Sequence, residues 1–236
     1  MIFIRRKNLI IISVLIIVIL TFVFCFDALS SNSVGNALSN KIKIVLDAGH
    51  GGIDNGVMGI STGVKESELN LKVVKKLESY LIGAGMNVIL TRSSDAGLYG
   101  VASSNLKRKD MEKRKEIILK AKPDLVISIH MNKFSLSSRR GAQVFYKAND
   151  EMGKILAESI QESFNSMEEA PRISNALMGD YYILNCTKYP SVIAECGFLS
   201  NPEDEALLIT EEYQKSIAYS IYQGIVSYFA KINIKK

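Results

Sequence analysis

The chain has 236 residues, 47% hydrophobic and 8% aromatic, with no tryptophan and a formal net charge of +5 at pH 7. That apolar content fills the core of one ordinary domain and excludes a disordered chain. The charge excess is small and scattered, without aromatic–basic interleaving, so nucleic acid is not expected as a partner.

Arg5, Arg6 and Lys7 precede an almost uninterrupted apolar stretch from Leu9 to Phe26. Such a stretch approaches the ~20 residues that span a bilayer, and the basic cluster before it directs the remainder of the chain outward. Residues 1–26 therefore read as a membrane anchor. A cleaved signal peptide is the alternative, because Ala28-Leu29-Ser30 is a weak small-x-small site. The Ser/Asn/Gly-rich residues 27–40 read as a linker, and 41–236 as one exported domain without a further module.

From Lys41 onward, short β-rich runs alternate with longer amphipathic ones, the pattern of an α/β layer structure. Ile42 to Leu46 is the first strand. Leu69, Val73, Leu77 and Leu81 recur at every fourth position, which predicts a helix with one apolar stripe, ended by Gly83-Ala84-Gly85. Met86 to Leu90 is the next strand. A charged helix over 107–121 stops before Pro123, and Leu125 to Ile129 has the continuous apolar pattern of a strand buried on both faces. Ala142 to Tyr146 is a strand, Met152 to Phe164 a helix, Val192 to Ala194 a buried strand, and Glu211 to Ala230 a closing helix. The expected fold is a single α/β domain with a twisted, mostly parallel central sheet flanked by helices.

In such a sheet, ligands gather beyond the carboxyl ends of the strands. Both of the chain's histidines lie there, in Asp47-Ala48-Gly49-His50-Gly51-Gly52 and Ser128-Ile129-His130-Met131-Asn132. Glu195 follows the strand that ends at Ala194, and Glu66 stands just ahead of the first helix, where the helix dipole favours an acid. Two imidazoles and one carboxylate make an open catalytic zinc site, and a second carboxylate can then accept the proton of the attacking water. Spacing does not decide which glutamate is ligand and which is base. Glu68 competes with Glu66, but on helical geometry the two point in different directions.

Other residues are weaker candidates. Asn132 orients a ligand, touches substrate or makes a turn; Arg139 and Arg140 meet a substrate carboxylate or are simply solvated. Cys186 and Cys196 pair or stay as reduced thiols, and Cys196, next to Glu195 on a strand, reads as core. Gly59-Ile60-Ser61-Thr62-Gly63 matches a nucleophile elbow, but no strand pattern precedes its serine, so that reading fails on context.

Taken in order, the two histidine segments, Lys65-Glu66 before Leu69-Asn70-Leu71, and Glu195-Cys196-Gly197-Phe198-Leu199-Ser200-Asn201-Pro202-Glu203 resemble the four motif blocks of the zinc-dependent N-acetylmuramoyl-L-alanine amidases, the Amidase_3 family. The resemblance covers residues 41–232. It implies that His50, Glu66 and His130 hold Zn2+, that Glu195 is the catalytic glutamate, and that the substrate is peptidoglycan. It implies structural roles for Thr91, Arg92 and the helix around Arg114. The single domain behind an anchor is most similar to the spore-cortex members of the CwlD type. This implies sporulation, and the outer face of the membrane or the cortex compartment as location.

Two departures stand out. Family members usually have proline where this chain has Ala48. Many carry a long helical insertion after the second histidine, where this chain has only Lys133 to Arg140 before Gly141, so no blocking helix is expected, and activity is expected to be controlled by another molecule, such as an accessory or activating protein, or by timing. Two rivals share these residues: a non-catalytic anchored wall-binding protein that keeps the fold, and a zinc carboxypeptidase that cuts within the stem peptide.

Overall fold

The computed structural model describes residues 42–101 and 104–234. The anchor and linker expected over residues 1–40 lie outside the described residues. Among the described residues, no helix is long and apolar enough to cross a membrane.

The strands are β1 (Lys43–Ala48), β2 (Asn87–Leu90), β3 (Leu125–Asn132), β4 (Gln143–Tyr146), β5 (Leu177–Met178) and β6 (Ser191–Phe198). The helices are α1 (Glu66–Gly83), α2 (Leu106–Ala121), α3 (Glu151–Asn165), α4 (Tyr182–Asn185), α5 (Pro202–Leu208) and α6 (Glu211–Ile234). The six strands form one sheet in the order β2-β1-β3-β6-β4-β5. β2, β1, β3 and β6 run parallel, while β4 is antiparallel to β6. This is the mostly parallel α/β sheet that the sequence pattern predicts.

Side chains alternate across each strand, so the two faces are built from alternate residues. Ile44, Leu46, Leu125, Ile127, Ile129, Val192, Ala194 and Cys196 face one layer, against Leu69, Val73, Leu77 and Leu81 of α1, Leu156 and Ile160 of α3, and Ile217 and Ile221 of α6. Val45, Val126 and Ile193 face the other layer, with Ile118 and Ala121 of α2 and Ile183 and Leu184 of α4. A leucine such as Leu77, fully buried in the first layer, contributes about 1.5–3 kcal/mol.

Local signals set the helix ends. Asp150 caps α3 by accepting from Gly153 N, and Asn201 caps α5 by accepting from Glu203 N and Asp204 N, with Pro202 in its first turn. α2 stops at Lys122, whose left-handed backbone (φ 49°) precedes Pro123.

Several boundaries differ from the expectation: β1 runs to Ala48 rather than Leu46, α6 to Ile234 rather than Ala230, and β5, α4 and α5 are additional; three further differences concern the site. β3 continues through His130 to Asn132, and β6 continues through Glu195 to Phe198. The apolar runs end at Ile129 and Ala194, but the backbone ladder does not. α1 begins at Glu66 itself rather than beyond it. A two-to-three register shift between β3 and β6, from His130↔Glu195 to Asn132↔Phe198, is a β-bulge just past the site. Residues 133–142 form a loop without a helix.

Candidate active site

β3 and β6 are neighbours, and His130 and Glu195 are register partners. Both face away from the α1 layer, because Ile129 and Ala194 beside them face towards it. Glu66 reaches the same edge from the N-terminus of α1, where the amide of Met131 donates to Oε1 at 3.1 Å and that of Val57 to Oε2 at 2.8 Å. His50 arrives from the turn after β1 in a left-handed conformation (φ 60°).

The turn after β1 is gripped by two buried arginines. Arg92 donates from Nε to the carbonyl of Ala48 at 2.8 Å, and from Nη2 to those of Gly49 at 2.9 Å and Ser67 at 2.8 Å. Arg114 donates to the carbonyls of Ala48 at 2.7 Å and His50 at 2.6 Å, and to the carboxylates of Asp47 at 2.5 Å and Asp110 at 2.6 Å. Hydrogen bonds thus hold the strand exit at Ala48. Burial alone would raise the Asp47 carboxyl. The Arg114 guanidinium and the hydroxyls of Ser128 and Thr91 outweigh it and hold the pKa at about 2. Gly49 is required at this exit, because a Cβ there would lie 2.2 Å from the His130 ring.

His50, Glu66 and His130 each point one donor atom at a common centre, all within 4.8 Å of one another. Glu66 Oε1 lies 2.9 Å from His130 Nδ1 and 3.3 Å from His50 Nε2. A tetrahedral ion with bonds of about 2.1 Å spaces its donors about 3.4 Å apart, so this nitrogen–nitrogen–oxygen set fits a metal such as zinc. The second ring nitrogen of His50 lies 3.0 Å from Asp54 Oδ2, the outer carboxylate that commonly fixes a ligating imidazole. Burial opposes the charge on Glu66, yet the two imidazoles pull its pKa well below the carboxylate range. Burial works against the protonated His50 ring, but Glu66 and Asp54 raise its pKa overall.

Glu195 has a different environment. It is 9% exposed, and its Oε2 is buried without a hydrogen-bond partner. Burial raises its pKa to about 7, with Glu66 adding to the rise and the imidazoles opposing it. A carboxyl with this pKa, facing a metal-competent triad across an open cleft of about 510 Å³, is suited to exchange protons near neutral pH.

The remaining expectations divide. Asn132 lines the cleft, as do Lys133 and Tyr181. Arg139 lies in the loop after β3, its guanidinium 5.2 Å from the Phe134 ring centre, above its face. Arg140 pairs with Glu203 and Asp204 instead of standing free. Glu68 is a solvated acid near Lys65, and the thiols of Cys186 and Cys196 are free, with Cys196 in the core. Ser61 and Thr62 donate their amides to Glu205 at 2.7 Å each, so the G-x-S-x-G segment serves to fasten α5. Sequence reasoning missed Asp54, whose signal is its position one helical-turn length past His50, and it missed Lys107 and Tyr181, which carry no motif.

Residues 44–227 match the family model Amidase_3, N-acetylmuramoyl-L-alanine amidase. The germination-specific N-acetylmuramoyl-L-alanine amidase of Bacillus subtilis is 37% identical over 198 residues, 82% of each chain. The CwlD amidase of Clostridioides difficile, solved in complex with the GerS lipoprotein, superposes with a TM-score of 0.78 at 36% identity, covering 80% of this chain and 99% of that one. The catalytic domain of CwlV from Paenibacillus polymyxa gives a TM-score of 0.69 at 30% identity, covering 80% and 98%. With the family's motif blocks brought to one edge of the family's fold, the chain belongs to the Amidase_3 N-acetylmuramoyl-L-alanine amidases.

Proposed function

We propose that this amidase is an exported, zinc-dependent peptidoglycan hydrolase of spore cortex maturation, held at the outer face of the membrane by its N-terminal segment. The bond cut is the amide between the lactyl group of N-acetylmuramic acid and the L-alanine of the stem peptide. The observation that carries the reading is the pairing of the His50–Glu66–His130 donor set with the buried, unpartnered carboxylate of Glu195. The germination-specific relative supports the sporulation role, and the lipoprotein-bound neighbour supports an accessory protein as partner.

Zinc held by His50, Glu66 and His130 would polarise the scissile carbonyl and bring the pKa of the attacking water towards ~7. Glu195 accepts the proton of that water and returns it to the departing amine of L-alanine. Asp54 holds the His50 ring in one orientation, and the amides of Val57 and Met131 fix the Glu66 carboxylate. Asn132, at the rim, contacts substrate.

The test is digestion of purified peptidoglycan by the full chain, with chelator, and with zinc restored. Mass spectrometry is expected to show peptide-free muramoyl residues and new amino-terminal L-alanine, lost with chelator and recovered with zinc. Stem peptides shortened from their carboxyl ends would indicate the carboxypeptidase instead. Stoichiometric zinc with no product would indicate a non-catalytic wall-binding protein.

A further inference from the structure

We infer that Lys107 reads a free carboxylate on the peptide side of the scissile amide and so selects among stem peptides. This deepens the proposed function and rests on it. Three hollows adjoin at the carboxyl edge of the sheet. One is the catalytic cleft. The second, of about 170 Å³, shares His50, Asp54, His130 and Tyr181 with that cleft and is walled beyond them by Met111, Tyr182 and Ile183. The third is an open groove of about 630 Å³ over Arg108 and Glu112. Lys107 is the one residue that lines all three.

The placement follows from α2. Its buried stripe puts Ile118 and Ala121 beside Val45 and Val126 near the start of the strands, and Arg114 and Asp110 beside Asp47 near their ends. One turn earlier on the same face, Lys107 overhangs the cleft. Lys107 and Asp54 line the same cleft. Lys107 makes no ion pair among the described residues, whereas the next residue, Arg108, is held by Glu112 at 2.8 Å. The first turn of α2 also contains no acid, so its cations oppose the helix dipole. A lysine at the rim of a substrate cleft, without an ion pair among the described residues, is placed for an anion from outside.

Substrate chemistry names that anion. In an N-acetylmuramoyl-L-alanine amide, the lactyl carboxyl is consumed in the scissile bond, and N-acetylated sugars carry no charge. An anion beside the reacting bond therefore belongs to the peptide: the α-carboxylate of a γ-linked glutamate after L-alanine. Lys107 then sets the peptide on the α2 side of the cleft, with the tyrosine-walled hollow beside it. Lys133 also lines the cleft but touches neither adjoining hollow.

The experiment compares two soluble substrates, muramoyl-L-alanyl-γ-D-glutamate and its α-amide, cleaved by the zinc-supplied full chain. A charge-assisted hydrogen bond predicts that kcat/KM favours the free acid by about tenfold or more, chiefly through KM. Lys107→Met is expected to bring that ratio within about twofold of unity, and Lys107→Arg to retain most of it. An active wild-type chain indifferent to the carboxylate overturns the inference alone. So does a Lys107→Met chain that loses both substrates equally with the ratio intact, or a ratio that collapses in Lys133→Met and not in Lys107→Met. A wild-type chain that releases neither peptide overturns the proposed function and this inference together.

Discussion

Along β1, Ile44, Leu46 and Ala48 face one helical layer, while Val45 and Asp47 face the other; along β3, Ile127, Ile129 and Met131 oppose Val126, Ser128 and His130. The first face is apolar to its end and closed by α1, α3 and α6. The second begins apolar and turns polar as it nears the carboxyl ends: Val45 gives way to Asp47, Val126 to Ser128 and His130, Ile193 to Glu195. The difference lies in what each face is packed against. Long amphipathic helices can seal a whole sheet face, but α2 covers the second face with a hydrocarbon end and a charged end. The polar end is stable because Arg114 and Asp47 satisfy each other, with Asp110, Ser128 and Thr91 completing their hydrogen bonds. One face holds the molecule together; the other spends part of its burial on chemistry.

The comparison can be broken at Glu195 first. Glu195→Gln is expected to lower kcat by about 10²–10⁴-fold while metal binding persists, whereas His130→Ala removes both. Turnover together with bound zinc by atomic absorption checks this, and a Gln variant at wild-type rate would remove Glu195 from the reaction. Next is Arg114→Met, which strands the buried Asp47 carboxylate and is expected to cost about 3–5 kcal/mol in chemical denaturation. Leu77→Ala on the opposite face is expected to cost about 2–5 kcal/mol and to leave zinc affinity unchanged, which would separate the two faces functionally. Asp54→Asn is expected to weaken zinc by about 10–100-fold in chelator competition, with little change in stability without metal.

The smallest effect concerns pH, and the two carboxylates of the polar face have opposite signs. The pKa of Glu195 is raised from 4.5 to about 7, so in the metal-free protein its contribution is fully present below pH 4.5 and is lost as pH rises through 7. Metal-free Glu195→Gln should therefore match wild type near pH 4 and exceed it at pH 8 by at most roughly 3 kcal/mol. The pKa of Asp47 is lowered from 3.8 to about 2, so its contribution is present above pH 3.8 and is lost as pH falls through 2. Thermal melts across pH on both metal-free proteins measure the difference. Parallel profiles would mean that Glu195 is not buried as an acid.

Much of this was legible in the residues. Alternation along Lys43–Ala48 and the fourfold spacing from Leu69 to Leu81 report directly on burial, so the sheet and its covering helices could be read. The two histidines and two glutamates stood at strand and helix ends, where a parallel sheet gathers its ligands. The exact ends of β3 and β6 could not be read, because His130 and Glu195 break the apolar pattern while their backbones go on pairing. Glu66 looked like a residue ahead of its helix because the first turn, Glu66-Ser67-Glu68, has no apolar face. Asp54 and Lys107 were hidden for another reason: their roles depend on a loop path and on the tilt of α2, which no short spacing encodes. The G-x-S-x-G segment fails as a nucleophile elbow on its sequence context alone, and the position of Glu205 shows what it does instead.

The grip of Arg92 and Arg114 on the carbonyls of Ala48, Gly49 and His50 has a consequence for assembly. Neither arginine belongs to the segment it holds: one follows β2, and the other sits in the middle of α2. The placing of the donor atoms of His50, Glu66 and His130 therefore depends on β2, α1, β3 and α2 together. A chain still emerging, or partly denatured, presents scattered imidazoles rather than a centre. Assembly of the donor set is in this way a property of the whole fold rather than of any one segment.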